Sequence, residues 1–417
     1  MGVFCLTETI RERQEALDAP TAVVAAAYLS GLNMLVVNLQ PLILGALADS
    51  HGLTDRQLGH ISAIFVGFST ACLVSGPFWV RRVDWRTFSM LMVLLATTAL
   101  VSGAFLAAPE AILALFAILG LLKGGLGIPA FASLGDSSNP DRNYGVSVGF
   151  QAFLSAAVTA PAAAYVIPNF GVSGLFLTIA AIVASGLLAC RWLPRKGVDV
   201  SGGAPAAVTS RPRPAMLTTA AISAWLALLA IAAFTGGILG FWYFIERIGV
   251  DRGVSHAAIG VALSLCSLAT IVTASIVAWL GGRLPSLVFV CAGSLFTLTG
   301  FGLLAFQGEA AYIAGAIAFA MGWGLAQPAY YAVIRKVDAT QRLFVAAPAA
   351  GGAAGVVIGM VAGPIIELGG YGAMIMASGL LIVFGAFVLA ITSLLHARLH
   401  GQALGPSAPD REAATPS

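Results

Sequence analysis

The chain of 417 residues is 59% hydrophobic and only 9% charged, and its mean hydropathy of +0.93 excludes an ordinary soluble globular protein. The formal net charge of +3 is spread along the whole chain, which excludes a protein that binds nucleic acid through a basic surface. We therefore expect a multi-pass protein of the lipid bilayer with no nucleic-acid partner.

The N-terminal segment, residues 1–20, is too charged to hold the apolar core of a secretory signal, and we expect it to lie on the cytoplasmic surface. A helix needs about 20 mostly apolar residues to cross a bilayer, and twelve such runs follow this segment. The predicted spans one to twelve are, in order, 22–48, 59–80, 87–108, 111–135, 144–168, 172–193, 216–245, 256–280, 285–306, 311–334, 343–366 and 371–395. The predicted fold is an all-α membrane protein.

The connection between spans six and seven is long, polar and rich in Gly, Pro and Ser, which is typical of a linker. This cytoplasmic linker, residues 195–215, is predicted to separate a first bundle at 21–194 from a second bundle at 216–396. The remaining tail, residues 397–417, is expected to be cytoplasmic and disordered.

The two predicted bundles share sequence motifs in the same order. GLTDRQLG at 52–59 is similar to GVSHAAIG at 253–260, and GLGIPAF at 125–131 is similar to GLAQPAY at 324–330. The members of each pair lie about 200 residues apart, which predicts a parallel repeat of six spans.

The basic residues predict the orientation of the chain. Lys and Arg are concentrated at the N-terminus, in the loops after even-numbered spans and in the tail, whereas the other loops hold only Arg56, Arg247 and Arg252. Because cytoplasmic loops carry the excess of Lys and Arg, both termini are predicted to be cytoplasmic. We expect the protein to lie in the cell inner membrane.

The loop after span two carries a basic motif, GPFWVRRVDWR. Gly76 is followed in it by Arg81, Arg82 and Arg86. Val80 precedes the arginine pair.

Two further motifs lie within spans. Span four carries Lys123 with Gly127 four residues later, and span eleven carries Gly363 and Pro364. Together with the loop motif and the two sets of six spans, these residues resemble the major facilitator superfamily of secondary transporters over essentially the whole chain. In that family an Asp is common at the position of Val80. The resemblance implies two pseudo-symmetric six-helix bundles that rock around a central cavity.

Lys123 is the charged residue that the hydrophobic pattern does not explain. It lies twelve residues from each end of predicted span four, or about 18 Å along a helix. A lysine at mid-bilayer costs roughly 2.5 to 3.5 kcal/mol on insertion scales and usually faces a water-filled cavity. Our hypothesis is that Lys123 binds an anionic group of the substrate or titrates during transport. The alternative is a structural lysine held by backbone carbonyls and buried water.

Span five carries Ser147, Gln151, Ser155 and Thr159 at intervals of four, so they share one helical face. We expect Gln151 to contact substrate. The three smaller residues either line the cavity or form hydrogen bonds to neighbouring helices.

Spans ten, seven and one carry the remaining binding candidates. In span ten, Trp323 and Gln327 lie deep, whereas Tyr330 and Tyr331 lie near the cytoplasmic end and either line the cavity or anchor the helix at the interface. Span seven contributes Trp242, and span one contributes Asn33 and Gln40, which share one helical face. The predicted substrate-binding residues are Lys123, Gln151, Asn33, Gln40, Trp242, Trp323, Gln327 and Tyr330.

Coupling to an ion is harder to assign, because no predicted span holds an acid near its middle. Glu246 is either a gate residue or the solvated end of span seven, and we favour the solvated end. Protons are the candidate coupling ion, and a facilitator without coupling is the alternative. The predicted gating or coupling residues are Asp49, Asp136, Glu246, Arg81, Arg82 and Arg142.

Span eleven also has a regular glycine pattern. Gly351, Gly355, Gly359 and Gly363 recur every four residues, so they form a smooth strip on one face. This strip predicts a close approach to another helix.

No set of catalytic residues can be placed at a common depth: the histidines lie in loops or at span ends, and no HExxH motif is present. We therefore expect a transporter rather than an enzyme, with no cofactor and no metal. The preferred function is secondary active transport of a small organic anion, a carboxylate or an aromatic acid, by a monomer. The alternative is multidrug-type or proton-driven efflux of amphipathic compounds.

Overall fold

The computed structural model of the chain describes residues 11–197, 219–280, 283–337 and 342–400. These residues are almost entirely helical, and no strand occurs among them. Most of the predicted linker, most of the tail and residues 1–10 lie outside the described residues. Residues 11–18 of the N-terminal segment form a short helix.

The first half holds six spans. Its helices are Pro20–Asn38, Gln40–His51, Asp55–Trp79, Trp85–Gly103, Pro109–Gly135, Pro140–Pro161, the π-helical turn Ala162–Val166, Ile167–Ala184 and Gly186–Cys190. The helices of the second half are Thr219–Asp251, His256–Leu280, Ser286–Leu303, Glu309–Val337 and Arg342–His400.

Within the described residues, 10 helices are long and apolar enough to cross a membrane. Two of them, Arg142–Cys190 and Ala346–Ala397, contain a glycine with a left-handed backbone, Gly171 at φ 61° and Gly370 at φ 68°. Glycine lacks the Cβ that disfavours this conformation, so the chain can turn there between two spans. The structure therefore agrees with the twelve predicted spans.

Span one is broken in its middle by a proline. Pro41 lies in the first turn of helix Gln40–His51 and has no amide hydrogen, so it cannot donate to the carbonyl of Val37 four residues earlier. The first helix consequently ends at Asn38. The break leaves the Val37 carbonyl available to a donor from another helix.

Span two begins four residues earlier than predicted, at Asp55. Thr54 and Gln57 form a capping box: the Thr54 amide donates to Gln57 Oε1 at 2.9 Å, and the Gln57 amide donates to Thr54 Oγ1 at 3.3 Å. These bonds satisfy amides that a helix start otherwise leaves unpaired. The apolar pattern cannot show this first turn, because its residues are polar.

The same pairs of spans pack in both halves, as expected for a repeat. Span two packs on four and span three on four, and the equivalent pairs eight with ten and nine with ten pack in the second half. The two halves touch mainly where span two meets eleven, five meets eight, and the second helix of span one meets seven. Several of these contacts lie at the end that carries the connections after spans one, seven and eleven, which we call the contact end.

Candidate substrate site and gate

Lys123 lies near the middle of helix Pro109–Gly135, and its side chain is half-buried. Its ammonium donates to the hydroxyl of Ser69 on span two, with Nζ and Oγ 3.1 Å apart. Among the described residues, Lys123 forms no ion pair with an acid. The hydrogen-bond partner of this ammonium is therefore a neutral hydroxyl group and not a carboxylate.

Asn33 of span one lies beside the same stretch of span four. A Cβ at Gly127 would be 2.8 Å from Asn33 Nδ2, so this glycine lets the amide pack against span four one turn after Lys123. Lys123 and Asn33 both line a cavity of about 20 Å³, which is large enough for one water molecule. The structure therefore brings two of the predicted binding residues together.

Gln151 is half-buried on span five and faces span one. Its Nε2 donates to Ser147 Oγ at 3.2 Å and approaches Ser30 Oγ at 3.5 Å. Ser147 and Ser30 are themselves joined by a hydrogen bond of 2.5 Å. Of the two alternatives left open for Ser147, the structure thus shows a hydrogen bond to a neighbouring helix, whereas the Gln151 side chain is partly exposed.

Farther along span five, the predicted hydroxyl residues also form helix contacts. The Ser155 hydroxyl bonds to that of Ser267 on span eight, with the oxygens 2.8 Å apart, and this bond joins the two halves. Thr159 donates to the Ser155 carbonyl at 2.6 Å. Both residues are buried. Ser155 thus bonds a neighbouring helix, which was one of the two alternatives, whereas Thr159 bonds a carbonyl of its own helix.

Trp242, Trp323 and Gln327 form a second cluster of predicted binding residues. The two indole rings, on spans seven and ten, have centroids 6.2 Å apart, and Trp323 Nε1 donates to Gln327 Oε1 at 2.5 Å. Trp323 and Gln327 are half-buried. The cluster presents ring faces and an amide from the second half.

Trp242 also connects this cluster to the first half. Its Nε1 donates to the carbonyl of Val37 at 3.2 Å, which is the acceptor that the break at Pro41 leaves available. A proline in span one therefore makes possible a hydrogen bond between the halves.

Trp242→Phe should weaken the contact between the halves. The substitution removes the N–H but keeps a ring, and the net value of a neutral hydrogen bond is about 0.5–1.5 kcal/mol. The ratio of molecules with this contact closed to those with it open should fall roughly two- to tenfold, measured as the distance between spin labels at the contact end. Trp279→Phe, at an exposed indole of span eight, is the matched control. A Trp242→Phe distance distribution equal to the control would contradict this role.

Two further predicted binding residues are buried even more completely than Asn33 and Trp242, which are 4% and 5% exposed. Tyr330 is 0% exposed and stacks on Phe234 of span seven, with ring centroids 4.7 Å apart. Gln40 is 1% exposed. Neither side chain can meet a solute in this state, because neighbouring helices cover it. We therefore leave Tyr330 and Gln40 out of the proposed site.

The contact end carries polar bonds between the halves. Arg247 of span seven donates to Asp49 of span one at 2.7 Å, and the Tyr371 hydroxyl donates to Asp55 at 3.0 Å. Of these residues only Asp49 was predicted from the sequence. The others lie beside span ends, where polar side chains are expected in any case, so no sequence signal marks them.

A second ion pair crosses between the halves at the same end. Arg56 of span two bonds to Glu367 of span eleven, with Nη2 and Oε2 2.7 Å apart. Both side chains are about half-exposed, so the pair adds little to stability by itself. The pair shows that spans two and eleven are in contact at this end.

Glu246 is buried, so our favoured interpretation, that it lies at the solvated end of span seven, is wrong. Its helix continues to Asp251, and its side chain is only 3% exposed. The carboxyl group lies against Gly45 of span one, where any Cβ would overlap it. Sequence reasoning missed this because the hydrophobic pattern ends near residue 245 while the helix continues.

The remaining predicted gating residues lie at the opposite end of the first half. Arg81 forms a bidentate ion pair with Asp136, with one N–O distance of 2.8 Å, and thereby joins the loops after spans two and four. Arg82 and Arg142 are exposed. The basic loop motif thus holds together two connections of one half.

The glycine strip of span eleven has the predicted role in close packing. A Cβ at Gly359 would be 2.8 Å from the carbonyl oxygen of Gly59 and 2.9 Å from the amide nitrogen of Ala63. At Gly363, a Cβ would overlap the backbone of Arg56. Spans two and eleven therefore meet backbone to backbone across the two halves.

The chain is similar to known membrane transporters in sequence and in fold. A sequence model of the Major Facilitator Superfamily matches residues 26–342, whereas no curated protein matches significantly. Among solved structures, a mutant of the nucleoside transporter NupG aligns with a TM-score of 0.68 and 11% identity over 90% of this chain and 99% of that chain. A bacterial homolog of the human lysosomal transporter Spinster, inward-facing and unoccupied, aligns with a TM-score of 0.58 and 15% identity over 92% and 96%.

These two structures share the fold of the present chain, and at such low identity the similarity concerns the fold alone. The family match spans most of the chain and both halves. The loop motif, the repeated halves and the twelve spans agree with it. The chain belongs to the Major Facilitator Superfamily.

Proposed function

We propose that this protein is a secondary active transporter that moves a small organic anion, a carboxylate or an aromatic acid, across the cell inner membrane by alternating access. The observation that carries this proposal is Lys123, a cation in the middle of span four that forms no ion pair with an acid among the described residues. An anionic ligand would supply the missing countercharge.

The free energy of such a site favours an anion over a neutral solute. A charge in a low-dielectric interior interacts strongly with a nearby opposite charge, because little water screens the pair. The ligand loses its own hydration on binding, and the amides of Asn33 and Gln151 in the same half can replace part of it. Trp323 and Gln327 offer a ring and an amide from the other half, which suits an aromatic acid.

We assign the observed state to one side of the transport cycle. The contact end carries the loops that are poor in Lys and Arg, so the positive-inside rule places it outside the cell. The halves meet there through spans one and seven and spans two and eleven. This arrangement corresponds to a state that is closed to the outside.

Efflux of amphipathic compounds remains the second candidate function, and the half-buried indole of Trp323 beside Trp242 is the observation that favours it. Flat apolar compounds stack well on such rings. Lipophilic cations, however, would be repelled by Lys123. The two candidates therefore differ in the charge of the ligand that binds.

Thermal unfolding of the purified protein in the presence of candidate ligands tests the proposal. Aliphatic carboxylates, aromatic acids, nucleosides and lipophilic cations form the panel, with nucleosides included because the structurally similar NupG is a nucleoside transporter. We expect stabilisation by acids, since a ligand that binds only the folded state raises the unfolding temperature. Stabilisation by cations alone, or by nucleosides alone, would overturn the anion assignment.

A further inference from the structure

The contact end contains a buried acid that the proposed anion site does not use. Glu246 is 3% exposed, and its Oε2 has no hydrogen-bond partner among the described residues. Its other oxygen, Oε1, lies 3.9 Å from His256 Nδ1, which is longer than a hydrogen bond. An ionised carboxylate held in this way lacks the donors that normally compensate for lost hydration.

The charged groups around Glu246 do not supply a counterion of their own. Arg247 is the adjacent residue, but its guanidinium pairs with Asp49 of span one at 2.7 Å. From span ten, Tyr312 directs its hydroxyl to the Ile245 carbonyl at 2.8 Å. His256, at the start of span eight, is half-exposed, and its Nδ1 lies 3.9 Å from Oε1 of Glu246.

The burial of Glu246 depends on the contact between the halves. The carboxyl group of span seven rests on Gly45 of span one, where a Cβ would overlap it. When the halves separate at this end, as alternating access requires, the Gly45 surface leaves and water reaches the carboxyl. The group therefore passes between a dry and a wet environment in each cycle.

We propose that Glu246 is a proton-binding site that is built by the contact between spans one and seven. In the closed contact the carboxyl carries a proton, because the neutral acid tolerates burial far better than the carboxylate. On opening, it releases that proton to the water that enters. Closure of this end thus takes up one proton. Low pH therefore stabilises the closed state relative to the open state, and this stabilisation is lost as the pH rises.

This inference rests on the alternating access proposed above and not on the identity of the substrate. Loss of anion binding in a Lys123 variant would leave it intact. A contact that does not respond to pH would overturn it and leave the anion site untouched. The two proposals can therefore fail separately.

The test measures the contact directly. Spin labels at Ser50→Cys and Leu368→Cys, exposed positions on opposite halves at the contact end, are placed in a background whose native cysteines are replaced by alanine. Pulsed electron paramagnetic resonance in lipid nanodiscs then gives the fraction of closed molecules. Between about pH 5 and about pH 9, the ratio of closed to open molecules should change by up to about tenfold per pH unit.

Substitutions of single acids identify the residue that binds the proton. Glu246→Gln, whose amide imitates the protonated acid, should keep the contact closed and abolish the pH dependence, whereas Glu309→Gln, at an exposed acid of the same end, should retain it. The proposal is overturned if Glu246→Gln responds to pH as the parent does, if the parent does not respond, or if only His256→Gln removes the response.

Gly45→Ala provides an independent variant should Glu246→Gln fail to fold. Its methyl group takes the space of the carboxyl, so the contact should be open at every pH. A Gly45→Ala protein that closes with the parent's pH dependence contradicts the proposed site.

Discussion

Lys123→Met should weaken the binding of an organic acid by roughly 30-fold to several thousand-fold. Removing one partner of a buried charge pair costs about 2–5 kcal/mol, because the remaining charge is left unpaired. Methionine keeps the length and the apolar stem of lysine, so the loss reports the charge. Titration calorimetry or saturable uptake into vesicles, with an acid found in the thermal screen, provides the measurement.

Thermal stability without ligand separates the two roles considered for Lys123. If the ammonium serves the ligand, the unliganded Lys123→Met protein should be as stable as the parent or more stable, since a dehydrated charge is replaced by an apolar group. A structural lysine predicts the opposite, a loss of stability with unchanged ligand affinity. Lys196→Met, at an exposed position after span six, is the control for a lysine outside the proposed site.

Gly359→Val should abolish transport by separating spans two and eleven. A side chain at this position meets the Gly59 carbonyl oxygen at 2.8 Å and the Ala63 amide nitrogen at 2.9 Å, and neither backbone atom can move aside without moving the helix. Overpacking of this kind typically costs about 1–3 kcal/mol. The closed-to-open ratio at the contact end should fall about 5- to 150-fold.

The label pair at Ser50 and Leu368 measures this shift, and vesicle uptake measures the loss of transport. Gly302→Val is the matched control, because a Cβ at Gly302 in span nine meets nothing within 4 Å. A Gly359→Val protein that closes and transports like Gly302→Val would show that close packing of spans two and eleven is not needed for the cycle. Retained binding of the acid would show that the variant is folded.

Several features of the site could be predicted because they depend on local chemistry. The face shared by Ser147, Ser155 and Thr159 follows from the period of a helix. The glycine strip through Gly359 follows from the recurrence of glycine at every fourth position of span eleven. Contacts of the glycine strip confirm close packing. Ser147 and Ser155 bond neighbouring helices, whereas Thr159 donates to the Ser155 carbonyl of its own helix.

Other features depend on partners far away in the chain. Glu246 looked like a solvated end because the apolar run stops beside it, yet Gly45 of the opposite half covers it. Trp242 donates to a carbonyl that only the break at Pro41 leaves available. Tyr330 has an aromatic and polar side chain of the kind that often lines a cavity, but Phe234 stacks on its ring.

Two similar sets of six membrane-crossing helices could be predicted without a structure, because an apolar run of sufficient length has no other stable state in lipid. The sequence also indicated Lys123, since a charge in such a run stands out without any knowledge of its neighbours. Only the packing of the helices sets which polar groups are dry, which distant donor meets a carbonyl freed by a proline and where the halves touch. Those properties arise when helices distant in sequence exclude water from each other, and hydrophobic periodicity along one helix carries no record of that.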